Sequence, residues 1–255
     1  MDLATFGLIL AVGLPSAFLF AKALKLHPQK ISVTNKIKEA LLSIIVFFAV
    51  FGGAFGIYAF YDRIWIRATL TADPLYVLRG AIAATVILLP MIVALKYSRL
   101  NHRNIGMTKL NLKKSLIFSL AISLVLILVI GGFSPFLGGR FIGFSSSMGY
   151  LLLSYIIAGF SEEIIFRGCI QTRLTARIGS VVGIFVSALL YAAYNFPLGF
   201  FCFSGNIQLA AVYAALRFSP GVIYGYVFEK TQNVVSSSIV HTLLIWGGLL
   251  FGLYL

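Results

Sequence analysis

The sequence predicts an all-α fold, a polytopic transmembrane helical bundle of about eight spans, the spans being judged by the length a helix needs to cross a bilayer. Of the 255 residues, 60% are apolar and only 11% are charged, whereas a soluble domain is about 45–50% apolar and about 25% charged. The mean hydropathy is +1.00. The chain therefore has too little polar surface to coat a water-soluble globule.

The predicted spans are apolar around the whole helix, which favours contact with lipid or with other helices. Pro197 interrupts the sixth span, so we expect a kink or a cavity there. Arg217 stands in the seventh span just before Pro220, and this helix is predicted to be interrupted as well. We divide the chain into supporting helices (residues 1–147) and a functional core (residues 148–255). The spans lie near residues 3–24, 39–61, 80–97, 116–133, 148–170, 181–203, 207–228 and 234–255.

The charge distribution predicts how the bundle is oriented. The chain carries 20 Lys and Arg against 7 Asp and Glu, a formal net charge of +13. In a soluble protein that excess would suggest a nucleic-acid partner, but here the basic residues cluster in short loops such as 22–38 and 96–114. Arg167, Arg173 and Arg177, at and after the end of the fifth span, are counted on the same side as these loops. By the positive-inside rule these loops are cytoplasmic, with both termini outside. We therefore predict a plasma- or inner-membrane protein that contacts membrane lipids and does not bind nucleic acid.

Two adjacent acids, Glu162 and Glu163, lie within the fifth predicted span, whereas the other acids fall at span ends or in loops. An ionisable group at the centre of a span costs at least about 2.5–3.5 kcal/mol, so it faces a partner or a wet cavity. On a helix, Glu163 and Arg167 share a face and can pair. Glu162 is turned about 100° away and stays free to bind a proton, water or an ion. The alternative is that both acids reach the cytoplasmic surface.

Two further polar residues lie inside the C-terminal spans, Asn195 in the sixth and His241 in the eighth. Singly, such residues are most often interhelical hydrogen-bonding or packing residues. Together with Glu162 they form a candidate constellation on three helices.

The motifs of this region resemble those of the CAAX-prenyl-protease and bacteriocin-processing (CPBP or ABI) family. The segment EEIIFR, residues 162–167, is similar to the family's first motif, E-E-x-x-F-R. The segment YAAYN, residues 191–195, aligns with its second motif, an aromatic residue four positions before His. The stretch 218–241 resembles the last region, which ends in H-x-x-x-N/D. The resemblance covers about residues 148–250.

The resemblance implies a glutamate-type intramembrane endopeptidase with a cavity open to the cytoplasm. By position, Glu162 activates the attacking water, Glu163 and Arg167 orient Glu162, Asn195 occupies the place of the second-motif His, and His241 contributes to the oxyanion site. The implied substrate is a peptide, a prenylated-protein tail or a membrane protein. We expect no cofactor and no metal, since one His and two Glu make a poor zinc ligand set.

The sequence departs from the family pattern at two positions. Asn195 cannot accept a proton as the expected His does, and Ile245 stands where the pattern has Asn or Asp. One alternative is therefore a catalytically impaired homologue that acts as a membrane scaffold, a regulator or a bacteriocin self-immunity protein with a membrane-protein partner. A third hypothesis is a proton-coupled transporter that uses Glu162, Glu163 and Arg217 as a relay.

Overall fold

The structure, a computed structural model, describes residues 3–26, 35–65, 73–97, 105–108, 112–137 and 139–252. Over these residues it is all-helical and without strands, which confirms the predicted fold class. A 3₁₀ turn, Ser134–Leu137, follows α4, and a π-helix, Ile164–Gln171, follows α5. The α-helices are α1 Leu3–Ala23, α2 Lys36–Trp65, α3 Pro74–Tyr97, α4 Leu112–Phe133, α5 Ser146–Glu163, α6 Thr172–Ile178, α7 Ser180–Tyr194, α8 Phe196–Cys202, α9 Ile207–Leu216, α10 Phe218–Thr231 and α11 Val234–Leu250.

The helices are long and apolar enough to make this an integral membrane protein. Six helical stretches of the described residues can cross a bilayer by length and hydropathy, and two shorter apolar helices, Gly7–Ala23 and Val234–Leu250, accompany them. Large apolar side chains also remain exposed on the outer surface, including Phe48, Phe60 and Phe136. Such an apolar exterior is costly in water and is typical of a surface that faces lipid.

Both predicted helix interruptions are present. The sixth predicted span is divided at Asn195, which ends α7 and precedes α8. Pro197 lies in the first turn of α8, where its missing N–H needs no partner. The seventh span is divided at Arg217, between α9 and α10. These two breaks bring polar side chains to the middle of otherwise apolar helices.

The fifth predicted span is longer than the expected 148–170, since one continuous helical stretch runs over Ser146–Ile178. Arg167 and Arg173, which the charge pattern assigns to the cytoplasmic side, are buried in this stretch. Arg173 Nε lies 2.9 Å from Glu39 Oε2, and this buried ion pair connects α6 to α2.

The basic loops that predict the orientation lie largely outside the described residues, namely at 27–34, 98–104 and 109–111.

The bundle packs around a hydrophobic core to which both the N-terminal and the C-terminal helices contribute. Helix α11 packs on α4 and α5, α10 packs on α7, and α5 packs on α3. Helix α1 lies against α4 and α10, and α2 lies against α6 and α8. The C-terminal helices therefore enclose the candidate site, with α2 and α3 contributing to its wall.

Candidate active site

The two adjacent glutamates are the last residues of α5, where the helix widens into a π-helix. The backbone N–H of Thr172 donates to the carbonyl of Arg167, five residues back, which is the π-helical pattern. Such segments are rare inside α-helices and frequently occur at functional sites. The EEIIFR segment thus spans the junction between α5 and the π-helix.

Glu163 and Arg167 form a fully buried ion pair. Arg167 Nε lies 3.3 Å from Glu163 Oε2, and both side chains have 0% exposure. The guanidinium also donates to the Gly221 carbonyl of α10 at 3.1 Å and to Ser187 Oγ of α7 at 3.4 Å. A buried charge without such partners would be strongly destabilising. The pair therefore fixes α5 to α7 and α10.

His241 of α11 lies between the two carboxylates. Its Nδ1 is 3.0 Å from Glu163 Oε1, and its Nε2 is 3.7 Å from Glu162 Oε2. Because an ionised carboxylate can only accept a hydrogen bond, Nδ1 carries the proton in the contact with Glu163. The second distance exceeds a direct hydrogen bond, and a single water bonded to both atoms suits it. Glu163 thus orients the imidazole so that Nε2 faces Glu162. The sequence predicted that His241 and Glu162 lie together, but it did not predict the contact between His241 and Glu163.

Aromatic side chains hold the imidazole plane in place. The ring of Tyr224 stacks on His241 with centroids 4.5 Å apart and an interplanar angle of 13°. Tyr191 meets the same ring edge to face at 5.7 Å, and its hydroxyl lies 3.2 Å from Nε2. Tyr191 and Tyr194 line the same cavity as Glu162.

A glycine allows α5 and α11 to approach closely at this point. A Cβ on Gly159 would lie 2.9 Å from Thr242 Oγ1 and 3.6 Å from His241 Cγ. Asn233 caps the start of α11 by accepting from the Val235 N–H at 2.9 Å. The cap and the close packing together set the position of His241 relative to α5.

Glu162 opens onto a cavity of about 360 Å³, which is within the size range of ligand pockets. Its carboxylate side chain is 15% exposed, in contrast to the fully buried Glu163. The wall is largely apolar, with a few polar groups that converge on Glu162. The polar lining of the cavity includes Glu162, Tyr191, Asn195, Arg217 and His241.

Both positions that depart from the family pattern lie on this cavity wall. Asn195 lines it, but its Nδ2 donates to the Tyr191 carbonyl one turn back at 2.9 Å. Ile245 lines it as well and presents an apolar side chain one turn after His241. The structure thus brings Glu162, Asn195 and His241 to one cavity while one amide hydrogen of Asn195 is used within its own helix.

Arg217 is a further polar residue of the same cavity. Its guanidinium donates to the Tyr213 hydroxyl and lies over that ring, 4.5 Å from the centroid. The sequence reasoning singled out Arg217 only as part of a relay, and it did not identify Tyr213 or Tyr224. A tyrosine in an apolar helix carries no signal of which surface it faces, so these residues could not be found without the fold.

No group of three or more His, Cys, Asp or Glu side chains within the described ranges could hold a metal ion. Cys169 is buried and Cys202 is exposed, and neither is disulfide-bonded. The polar side chains of this site can transfer protons, orient a water and form hydrogen bonds.

Residues 144–247 match the model of a family described as type II CAAX prenyl endopeptidase, Rce1-like. No curated protein and no solved structure matches the chain. The matched region contains Glu162, Glu163, Arg167, Asn195 and His241. Over this region the chain is similar to that family of CAAX prenyl endopeptidases.

Proposed function

We propose that the protein is an intramembrane endopeptidase in which Glu162 activates the attacking water and the cavity holds the scissile peptide. The observation that carries this proposal is the array Arg167–Glu163–His241–Glu162, whose last member opens onto the cavity. A carboxylate that is neither neutralised by arginine nor exposed to bulk solvent is suited to act as a general base.

The proposed reaction begins with a water bound between Glu162 Oε2 and His241 Nε2. Glu162 removes a proton, and the resulting hydroxide attacks the carbonyl carbon of the peptide. The C–N bond then breaks as Glu162 returns the proton to the leaving nitrogen, so Glu162 acts first as base and then as acid. In this scheme His241 takes part as the imidazolium, with Glu163 balancing its charge at Nδ1, so Nε2 carries its proton before the reaction begins. It donates that proton in a hydrogen bond, first to the water and then to the oxyanion, and keeps it throughout.

Other residues of the array position these groups. Arg167 holds Glu163, Glu163 holds the imidazole, and the ring of Tyr224 prevents it from rotating. Asn195 would contribute a carboxamide oxygen or its second amide hydrogen to the water, but it cannot take a proton. The charge pattern of the loops supports a site on the cytoplasmic side with both termini outside. We also retain residues 1–147 as support and 148–255 as the catalytic core.

The decisive experiment is a cleavage assay on the purified protein in proteoliposomes. The probes are quenched peptides that carry an S-farnesyl or S-geranylgeranyl cysteine near the C-terminus, together with their unmodified counterparts. We expect wild type to cleave at least one probe and Glu162→Gln to be slower by at least about 10²-fold. Glu229→Gln is the matched control, since Glu229 accepts from Ser180 and does not line the cavity. Equal cleavage by wild type and Glu162→Gln would contradict the proposal.

A second candidate is a non-catalytic CPBP homologue that binds a membrane-protein partner. The specific observations that favour it are the intrahelical hydrogen bond of Asn195 and the apolar side chain of Ile245 on the cavity wall. This candidate predicts that wild type cleaves no probe and that Glu162→Gln leaves the cellular phenotype and a co-purifying partner unchanged.

A further inference from the structure

The described residues contain three buried arginines, and they differ in how their charge is compensated. Arg167 pairs with Glu163 at 3.3 Å, and Arg173 pairs with Glu39 at 2.9 Å. Arg217 is 8% exposed, yet no acidic side chain of the described residues lies within ion-pair distance of it. The third arginine is therefore a buried cation that forms no ion pair within the described ranges. Glu162 lines the same cavity and acts on it only at longer range.

The local contacts of Arg217 do not neutralise it. Its guanidinium donates to the Tyr213 hydroxyl and lies over the Tyr213 ring. A hydroxyl and an aromatic face stabilise a cation, but neither carries a compensating negative charge at neutral pH. A guanidinium has five N–H donors, and the structure assigns one acceptor to this one. Tyr213 holds the group in place and leaves most of its donors for another partner.

The position of Arg217 indicates what that partner is. It lies at the break between α9 and α10 and lines the same cavity as Glu162. A guanidinium binds a carboxylate through two parallel hydrogen bonds, and the attraction is strong where water is scarce. An anion that enters the cavity would give Arg217 the same compensation that Glu163 gives Arg167.

We propose that Arg217 binds a carboxylate of the peptide that occupies the cavity. This inference rests on the proposed function in one respect, namely that the cavity is the peptide site. The carboxylate comes either from the end of the peptide chain or from an Asp or Glu side chain, and the two sources are separated below. Arg217 is then a specificity-determining residue, distinct in role from the Glu162 and His241 pair.

The test measures binding in a protein that cannot hydrolyse the probe. All variants carry Glu162→Gln, and affinities are measured in detergent by the fluorescence of dansyl-Leu-Leu-Leu and of its C-terminal amide. We expect the acid to bind about ten- to hundredfold more tightly than the amide, as expected for hydrogen bonds to a charged group. With Arg217→Gln added, the two probes should bind equally.

Two further variants separate carboxylate recognition from a structural effect. Arg217→Lys keeps the charge but not the bidentate geometry, so part of the preference should remain. Arg177→Gln removes one positive charge at an exposed position outside the cavity, and it should keep the whole preference. The preference is a ratio within each variant, so loss of folded protein alone does not change it.

The source of the carboxylate is read from a second probe pair, dansyl-Leu-Asp-Leu-amide and its Asn counterpart. Tighter binding of the acid than of the amide in the first pair assigns the carboxylate to the chain end. Tighter binding of the Asp peptide than of the Asn peptide in the second pair assigns it to an acidic side chain. The proposal is overturned if neither acid is preferred, if neither probe pair binds saturably, or if a preference survives Arg217→Gln. A protein that binds the acid through Arg217 but cleaves nothing would refute the proposed reaction and leave this inference standing.

Discussion

The adjacent glutamates of α5 are expected to respond differently to the same substitution. Glu163→Gln removes a charge that pairs with Arg167 at 3.3 Å and accepts from His241 at 3.0 Å, in a side chain with 0% exposure. Breaking a buried pair by removing one partner costs about 3–5 kcal/mol because the other charge is left uncompensated. For a chain of this size the melting temperature should fall by about 6–20 °C.

Glu162→Gln is the matched comparison, since it makes the same chemical change one residue earlier. Glu162 is 15% exposed in the cavity, and its Oε2 lies 3.7 Å from His241 Nε2, which is beyond direct hydrogen-bond distance. We expect its melting temperature to stay within about 2 °C of wild type, in the range of substitutions that break no buried pair.

The assay is thermal unfolding in detergent with a thiol-reactive dye. The exposed Cys202 reacts in the folded protein and gives the baseline, and the rise in signal on heating reports the exposure of the buried thiol of Cys169. Peptide cleavage is measured on the same preparations. If Glu163→Gln and Glu162→Gln melt within about 2 °C of each other, the assignment of Glu163 to a buried compensated pair is wrong.

Three other predictions concern the surroundings of the site. Tyr191→Phe removes the hydroxyl that lies 3.2 Å from the imidazole, and it should lower kcat about tenfold with little change in KM or melting temperature, as cleavage kinetics would show. Gly168→Ala places a Cβ against the Ile105 carbonyl oxygen and should destabilise the folded protein by about 1–3 kcal/mol. Gly149→Ala is the control, since a Cβ there has no atom within 4 Å and should not lower the melting temperature. Glu39→Gln removes the acid that pairs with the buried Arg173 of α6. It should lower the free energy of unfolding by about 3 kcal/mol in the same melting assay and leave the probe preference unchanged, and an unchanged melting temperature would refute the stabilising role of Glu39.

Much of the fold follows from composition and length. Runs of about 20 apolar residues cannot satisfy their backbone in a bilayer except as helices, so the all-helical architecture follows directly. The predicted helix ends were less accurate. Helix α3 begins at Pro74 and not near residue 80, because residues 75–79 continue the helix on the N-terminal side of the apolar run. The interruptions at Asn195 and Arg217 followed from the neighbouring prolines, which limit backbone hydrogen bonding locally.

The candidate site was predictable only in part. Glu163 and Arg167 are four residues apart, and helical periodicity alone places them on one face. The contact between Glu163 and His241 joins residues 78 positions apart on α5 and α11, and no local pattern encodes it. Arg173 illustrates the same limit, since the charge pattern placed it in a loop after the fifth span, whereas it lies buried in α6 and pairs with Glu39 of α2.

By itself the sequence determined that the protein is a helical membrane protein, which residues are charged within its spans, and which family motifs it carries. These properties depend on composition and on spacing within single helices. Only the tertiary structure decided that Glu163 contacts both Arg167 and His241, that Glu162 faces a cavity, and that Arg217 has no ion-paired acid in the part of the chain that is described. The physical reason is that the state of a buried charge depends on groups supplied by other helices, and helix packing alone brings these groups together.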